Sequence, residues 1–370
     1  MNSATLTAQP VASPHAHGGN SVTRTMFRVQ MALVPATLYG FWLFGWPSFF
    51  LWLLTILSCL GFEALSLKMM GVTRIKRTLF DGSALLTGWL LAMTLPPWAP
   101  WWVAVLGGFI AIVIGKQVFG GVGQNVFNPA MVARVALLVS FPVPLTMWVS
   151  PLPLTSLAAP DFIDGLRIFL TSLPQPDAMA SASLLGYTKT ELSRGIDLLH
   201  SLAGEHAPAL SWIGARSGSF GESASLLILA GGLYLIGVGI ITWHAPMAAL
   251  AGLAIPAAIG HAVDPAHYLS VSAHLLSGAA MLGAFFIATD YVTSPNTAAG
   301  QIVFGLGIGF MTWVIRTWGG YPEGMAFAVL LMNALTPVID RFIKPLPLGH
   351  ALTLATYYSA LWCIVVGGAA

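Results

Sequence analysis

Hydrophobic residues in this chain fall into ten long runs separated by polar connections. The runs approach the ~20 residues that a helix needs to cross a hydrocarbon core of ~30 Å. In chain order they are 27–46, 49–67, 83–97, 101–119, 127–148, 223–243, 246–263, 269–289, 297–318 and 324–342. The pattern predicts an all-α integral membrane protein with about ten transmembrane helices, five on each side of a long polar loop.

Breaks rich in glycine recur at matching places in the two groups of five runs. Residues 115–130 include Gly120-Gly121-Val122-Gly123, and residues 319–324 read Gly-Gly-Tyr-Pro-Glu-Gly. The sequence upstream echoes too, with Leu-Leu-Thr-Gly at 85–88 and Leu-Leu-Ser-Gly at 275–278. Paired breaks in two halves of an apolar chain predict a ligand site at the interface between repeats.

Two groups of five spans would cross the membrane in opposite orientation, because five is an odd number. We therefore predict inverted five-helix repeats over residues 27–148 and 223–344. Composition agrees, since 56% of the residues are hydrophobic and only 8% are charged, against roughly 25% charged in soluble domains. A soluble core could not bury so many long runs.

Basic residues concentrate on one side of this predicted topology. They are Arg24, Arg28, Lys68, Arg74, Lys76, Arg77, Arg341 and Lys344. Cytoplasmic connections carry an excess of Lys and Arg. The distribution therefore places residues 1–26, as an N-terminal tail, and residues 68–82 in the cytoplasm.

The polar loop at residues 149–222 is unlike the other connections. It holds seven acidic and four basic residues, a net charge of −3. An acidic loop opposite the basic side is expected to face the periplasm, and a loop this long is usually functional or disordered. Residues 345–370 form an apolar C-terminal segment that is equally consistent with an eleventh span and with an interfacial or complex-docked helix.

Several motifs together carry a family resemblance that covers nearly the whole chain. The matching segments are residues 13–17 (Ser-Pro-His-Ala-His), 81–88, 95–97, 128–130, 221–223, 274–278, 285–290 and 319–322. On these segments the chain resembles the RnfD proteins, the D subunits of the Rnf (Rsx) ion-translocating electron-transport complex. It is also similar, more distantly, to the NqrB proteins, the B subunits of the sodium-pumping NADH:quinone reductase.

The resemblance implies a multi-pass subunit of a translocase in the bacterial inner membrane. It would belong to a redox-driven Na⁺ or H⁺ pump of the ferredoxin:NAD⁺ oxidoreductase type and would not be catalytic alone. The implied partners are the A, B, C, E and G subunits, a flavin transferase and membrane lipid, with no nucleic acid. The sequence leaves open which ion moves and the direction of electron flow. A flavin-free secondary transporter or channel with inverted repeats is the alternative.

The resemblance also implies covalent FMN. In that family a hydroxyl in a motif like D-x-x-S-G-A-T carries FMN through a phosphoester bond. Alignment by Asp177 and Ala182 places the acceptor at Ser183, where threonine is usual, with Ser181 as the competing acceptor. Without the resemblance, a Ser/Ala stretch in a loop is typical of a turn-forming linker. We expect an acceptor hydroxyl that is accessible to the transferase.

The sequence lacks the ligands or motifs that electron carriers other than flavin would require. Cys59 and Cys363 are isolated thiols, whereas an iron–sulfur cluster needs about four. No dinucleotide fingerprint follows a predicted strand. Electron transfer by this chain would therefore depend on an organic cofactor that the protein positions.

The glycine-rich segment is the second candidate cofactor site. Gly120, Gly121 and Gly123 allow positive φ and close backbone approach. Asn125 and Asn128 are three residues apart and would share a face in a helix. Their amides suit the donor and acceptor edge of a flavin, and the resemblance implies noncovalent riboflavin near such a pair. Alternatively, Asn128 caps a helix and the glycines allow helices to pack.

Ionisable residues within predicted spans are candidates for function because they are costly there. Asp290 ends a span and opens a break whose carbonyls, with its carboxylate, would suit a hard cation or a proton path. Its alternative role is to cap the next segment. Glu63 and Asp340 lie near span ends on the basic side, where solvated or ion-paired roles are expected.

Overall fold

The computed structural model describes residues 22–73, 75–171, 180–181, 183–198 and 217–344. Helix dominates this part of the chain, which confirms the all-α membrane fold. Among the described residues, five helices are long and apolar enough to cross a membrane: Trp46–Met69, Trp101–Phe119, His244–Val263, Ala298–Trp318 and Met325–Phe342. Each of the ten predicted spans contains helix, while the number that cross the bilayer stays a prediction.

The N-terminal half, residues 22–148, consists of seven α-helices among the described residues. They are α1 Val22–Phe44, α2 Trp46–Met69, α3 Ile75–Leu79, α4 Ser83–Thr94, α5 Trp101–Phe109, α6 Pro129–Ser140 and α7 Pro142–Thr146. Helix α5 continues into a π-helix at Ile110–Ile114 and a 3₁₀ turn at Gln117–Phe119. The glycine-rich segment then leads into α6.

The polar loop contributes two helices and a short strand pairing to the described residues. Helices α8 (Phe162–Thr171) and α9 (Leu184–Ser193) are separated in sequence by β2 (Ala180–Ser181). Strand β1 (Trp148–Val149) pairs antiparallel with β2, with Trp148 opposite Ser181. This pairing brings the start of α9 close to the end of the N-terminal half.

The C-terminal half, residues 217–344, is also helical among the described residues. Its elements are α10 Ser225–Gly237, α11 His244–Val263, α12 Val271–Leu276, α13 Ala280–Leu282, a π-helix Gly283–Ile287, α14 Ala298–Trp318 and α15 Met325–Phe342. The predicted span 269–289 is therefore three helical pieces. The first break lies at Ser277, which is extended, and Gly278, which adopts φ +64°. Glycine is required at 278, because a Cβ there would overlap the Glu323 carboxylate.

The predicted span 127–148 is also shorter than expected. Helix α6 ends at Ser140, and Phe141 takes φ −134°, ψ 65°. Pro142 follows, and a residue before proline is disfavoured in the α region. The chain restarts as α7 and then enters β1, so residues 141–148 belong to the connection.

The polar loop and the basic connection lie at opposite ends of α2. The ring of Phe162 in α8 contacts Trp46 and Phe50 at the start of α2, with centroids 5.1 and 5.2 Å apart. Lys68 lies in the last turn of the same 24-residue helix, a separation of about 33 Å along the axis at 1.5 Å per residue. This placement agrees with the predicted topology, although the side that faces the cytoplasm stays a prediction.

Candidate functional site

A cavity of about 110 Å³ lies between the two halves. We call it the amide cavity, because Asn125 and Asn128 line it. Its wall also includes Lys116 from the N-terminal half and Phe285 and Asp290 from the C-terminal half. The structure thus brings the two predicted riboflavin asparagines and the predicted ion-path carboxylate to one cavity at the interface between the halves.

The three predicted glycines do not line this cavity themselves, but they form the turn around Val122 and before Asn125, both of which do. Gly120, Gly121 and Gly123 have φ values of 112°, 95° and 88°, which side-chain-bearing residues rarely adopt. A Cβ at Gly123 would meet nothing within 4 Å, and at Gly120 and Gly121 only side-chain atoms beyond 3.4 Å. Turn conformation therefore explains these glycines, and the helix-packing interpretation is wrong for them.

Asn125 and Asn128 do not share a helix face, because the segment that carries them is a turn. The Oδ1 atom of Asn128 accepts hydrogen bonds from the N–H groups of Ala130 and Met131, at 3.1 and 3.2 Å, and so caps α6. Its Nδ2 donates to Asp290 Oδ2 over 3.4 Å. The prediction that Asn128 caps a helix is therefore confirmed for its side-chain oxygen. Its amide nitrogen instead contacts the carboxylate of Asp290 in the cavity wall.

Asn125 is available to a ligand at one end of its amide. Its Nδ2 donates to the Phe127 carbonyl at 3.1 Å. Within the described part of the chain, its Oδ1 accepts no hydrogen bond. An acceptor that faces a mostly apolar wall suits the N–H edge of a polar heterocycle.

Asp290 organises the break that follows the π-helix. Its carboxylate accepts from Thr293 Oγ1 at 3.2 Å and from Val292 N at 3.4 Å. The next helix, α14, is capped instead by Thr297, whose Oγ1 accepts from Gly300 N at 3.0 Å. Asp290 therefore stabilises a turn and remains in the cavity wall, so its assignment as the cap of α14 is wrong.

A buried ion pair adjoins the amide cavity. Lys116 Nζ lies 2.6 Å from Glu63 Oε1, and both side chains are almost fully buried. Lys116 also donates to Ser83 Oγ at 2.7 Å, and Gln117 Nε2 donates to Glu63 Oε1 at 3.0 Å. The ion-paired role expected for Glu63 is confirmed. Asp340 is partly exposed and accepts hydrogen bonds from Asn296.

A second cavity, of about 30 Å³, contains Ser183 and is called the serine cavity here. Ser183 is the N-cap of α9, and its Oγ accepts from Gly186 N at 3.2 Å. The residue is only 5% exposed. The prediction of an accessible hydroxyl is therefore wrong for this conformation. Strand pairing with Trp148 holds the preceding segment, and Asp177 lies outside the described residues.

Arg134 faces the serine cavity from the middle of α6. The residue is 4% exposed, and its Nη1 has no hydrogen-bond partner among the described residues. Glu323 lines the same cavity, but its carboxylate is engaged elsewhere. It accepts from the N–H groups of Ala279 and Met325 at 2.9 and 3.0 Å and from Arg316 Nη2 at 3.2 Å.

Lys189 connects α9 to the C-terminal half through hydrogen bonds. Its Nζ donates to the carbonyls of Ile315 and Tyr321, at 3.2 and 2.9 Å, and to that of Gly319. These carbonyls lie at and just beyond the last turn of α14. Burial lowers the pKa of the Lys189 ammonium. The segment that carries Ser183 is thus docked on the glycine break at residues 319–324.

Lys116 and Arg134 are the site residues that sequence reasoning missed. The signal was present, because both lie inside predicted spans, where an ionisable side chain is costly. Their partners could not be read from spacing. Lys116 pairs with a residue 53 positions away, and Arg134 meets Ser183 only through the fold.

Comparisons with known proteins agree with this architecture. A model of the NQR2, RnfD, RnfE family matches residues 10–349. A protein of Stutzerimonas stutzeri, named as the D subunit of an ion-translocating oxidoreductase complex, is 49% identical over 343 residues, which is 93% of this chain and 96% of that protein.

Two further relatives carry the same name. The protein of Halorhodospira halophila is 48% identical over 335 residues, 90% of this chain and 94% of its own length. That of Rhodobacter capsulatus is 48% identical over 311 residues, 83% of this chain and 85% of its own length. The length and identity of these matches leave one conclusion: the chain belongs to the NQR2, RnfD, RnfE family.

Proposed function

We propose that this chain is the D subunit of a redox-driven ion-translocating oxidoreductase and that it carries electrons through two flavins. FMN would be joined by its phosphate to the hydroxyl of Ser183, and riboflavin would bind noncovalently in the amide cavity. The names of its relatives support the coarser part of this proposal. The chain would lie in the bacterial inner membrane in a complex with the A, B, C, E and G subunits.

The observation that carries the proposal is the position of α6 between the two cavities. Ala130 lines the amide cavity, and the next residue, Met131, lines the serine cavity. Successive residues on a helix point about 100° apart, so the two cavities flank one helical turn. This arrangement suits electron transfer between a group at each site without a soluble intermediary.

The side chains that line the amide cavity suit an uncharged flavin better than a nucleotide. At about 110 Å³ the cavity holds roughly seven to eleven water-sized atoms, so it must widen to admit the flavin ring. Phe285 and Phe286 supply apolar surface, and Asn125 Oδ1 supplies an acceptor. Lys116 carries three N–H donors, of which Glu63 and Ser83 accept two. The third is available to a ligand oxygen. A flavin bound there would supply one-electron and two-electron redox chemistry, while these side chains orient it and exclude water.

The serine cavity fits the phosphate end of a tethered flavin. The Ser183 hydroxyl and the Arg134 cation line it together. An esterified Ser183 oxygen can still accept the hydrogen bond of Gly186 N that caps α9. Because the hydroxyl is buried, a transferase must reach it before the segment docks or after the segment opens.

Asp290 provides the proposed link between electron and ion movement. Its carboxylate shares the amide cavity with the flavin site. Two charges separated by a few ångströms in protein interact by several kcal/mol, so a change in flavin charge would alter the affinity of the carboxylate for a cation. We propose that Na⁺ or H⁺ passes this carboxylate during turnover.

Flavin analysis of the purified complex, produced with its native transferase, tests the proposal. The expected content is one covalent FMN and one noncovalent riboflavin per chain. Extraction with acid should release the riboflavin and leave the FMN fluorescent on the denatured chain. A chain that contains neither flavin would contradict the proposal and favour a flavin-free transporter with inverted repeats.

A further inference from the structure

Arg134 is a buried cation whose compensation is incomplete. It lies in α6 within the predicted span 127–148, is 4% exposed, and leaves Nη1 without a hydrogen-bond partner among the described residues. A buried charge is strongly unfavourable unless it is paired and hydrogen-bonded. The side chain is therefore expected to meet a further anionic or accepting group in the serine cavity that it faces.

The cavity contains two carboxylates, Glu323 and Glu222, and among the described residues no hydrogen bond joins either of them to Arg134. Glu323 is held by Arg316 and by two backbone N–H groups, and no hydrogen bond joins it to Arg134. Glu222 uses Oε2 to accept from Ser219 N at 3.2 Å. A guanidinium has five N–H donors, so Arg134 can bind further acceptors in this cavity.

We infer that Arg134 holds the phosphodiester that joins FMN to Ser183. The inference rests on the proposed attachment at Ser183, and it makes Arg134 a positioning residue. A guanidinium binds two phosphate oxygens side by side in a planar, bidentate arrangement. The single negative charge of a diester balances the single positive charge of Arg134.

The size of the serine cavity supports this division of roles. Its volume of about 30 Å³ has room for two or three atoms the size of water, at about 10–15 Å³ each. Phosphate oxygens fit such a space, whereas a three-ring isoalloxazine does not. The flavin ring must therefore lie outside the cavity while Arg134 fixes its tether.

A double-mutant cycle on the purified complex tests the inference. The four proteins are wild type, Arg134→Met, Ser183→Ala and the double variant, all produced with the native transferase. Arg134→Met should lower Tm when Ser183 carries FMN, because the diester loses its counter-charge. In the Ser183→Ala background the same change should raise Tm, because it removes a buried cation that lacks its ligand.

A merely structural Arg134, or one that holds a lipid phosphate or free phosphate, would give the same Tm shift in both backgrounds. That result would overturn the inference while leaving FMN on Ser183 in place. A wild-type complex without covalent FMN would overturn both the inference and the proposed function. The two failures are therefore distinguishable.

A second readout covers the case in which the methionine variant fails to assemble. In Arg134→Gln, the fluorescence anisotropy of the covalent FMN should fall because the tether moves more freely, and Arg134→Lys should restore it in part. Arg194→Gln is the matched control, since Arg194 is an exposed residue of the turn after α9 that pairs with Glu191. Anisotropy equal to wild type in Arg134→Gln would overturn the inference.

Discussion

The side chain of Asn128 uses both ends of its amide. The oxygen caps α6, and the nitrogen reaches Asp290 across the interface between the halves. Its backbone N–H donates to Asn333 Oδ1 at 3.1 Å. A change at Asn128 would therefore disturb helix α6, the cavity and the interface together, which makes it a poor probe of ligand binding alone.

Asn125 is the better probe at the residue scale. Asn125→Leu should lower riboflavin content while covalent FMN stays in place. A ligand edge left unpaired costs about 1–3 kcal/mol, or roughly a 5- to 150-fold loss of affinity. Acid-extracted riboflavin per chain, measured by chromatography after dialysis at a series of riboflavin concentrations, gives the apparent Kd.

The control for this prediction is thermal stability. Asn125 makes one hydrogen bond within its own turn, so Asn125→Leu should change Tm little, whereas Asn128→Leu should lower it through loss of the cap. Riboflavin binding at wild-type affinity in Asn125→Leu would refute the role assigned to this amide.

Asp290→Asn should slow ion-coupled turnover more than it reduces flavin content or complex assembly. The substitution retains the size of the side chain and most of its hydrogen bonds but removes the negative charge that a cation would meet. Ion uptake into proteoliposomes, set against electron-transfer rate, measures the effect. Asp340→Asn is the control, because that carboxylate is partly exposed, lies outside the amide cavity lining and is bonded to Asn296. Wild-type transport in Asp290→Asn would leave only the turn-stabilising role.

At the scale of elements, the sequence could predict one of the breaks between helices but not another. The positive φ values at Gly120, Gly121 and Gly123 follow from residue type, so the turn before α6 was predictable. The requirement for glycine at 278 was not, because the group that leaves no room for a side chain there is the carboxylate of Glu323, which is 45 residues away in sequence. The local hydrophobic pattern therefore predicted residues 269–289 as one continuous span.

The docking of α9 gives a prediction about an element. Lys189→Met removes three charge-assisted hydrogen bonds to the carbonyls at the end of α14. Hydrogen exchange in α9 should rise by roughly 5- to 150-fold, equivalent to about 1–3 kcal/mol of local stability. Thr190→Ala is the control, since Thr190 is exposed and bonds only within its own helix. Unchanged exchange in Lys189→Met would mean that other contacts hold α9.

At the scale of the whole molecule, apolar runs and basic residues predicted the fold class and the separation of the polar loop from the basic connection. They could not predict that two cavities would flank α6, because that arrangement depends on how the halves pack. Ala130 and Met131 are adjacent in the sequence, yet nothing in their spacing shows that each faces a different cavity.

Orientation is a prediction for the whole molecule. Cysteines introduced at Phe80 and Ile163 occupy exposed positions near the basic connection and in α8. In intact cells, a membrane-impermeant thiol reagent should label Ile163→Cys and should label Phe80→Cys only after lysis, because the basic side faces the cytoplasm. Labelling of Phe80→Cys alone in intact cells would reverse the topology.

Peptide mass spectrometry of the purified chain tests the central claim most directly. Trypsin should release residues 168–189, which contain Ser181, Ser183 and Thr188. We predict one FMN phosphoester in this peptide, with fragment ions that place it on Ser183. Ser183→Ala should abolish it, and Ser183→Thr should keep it. An adduct on Ser181 or Thr188 would move the site, and a peptide without FMN from a complex made with its transferase would contradict the account.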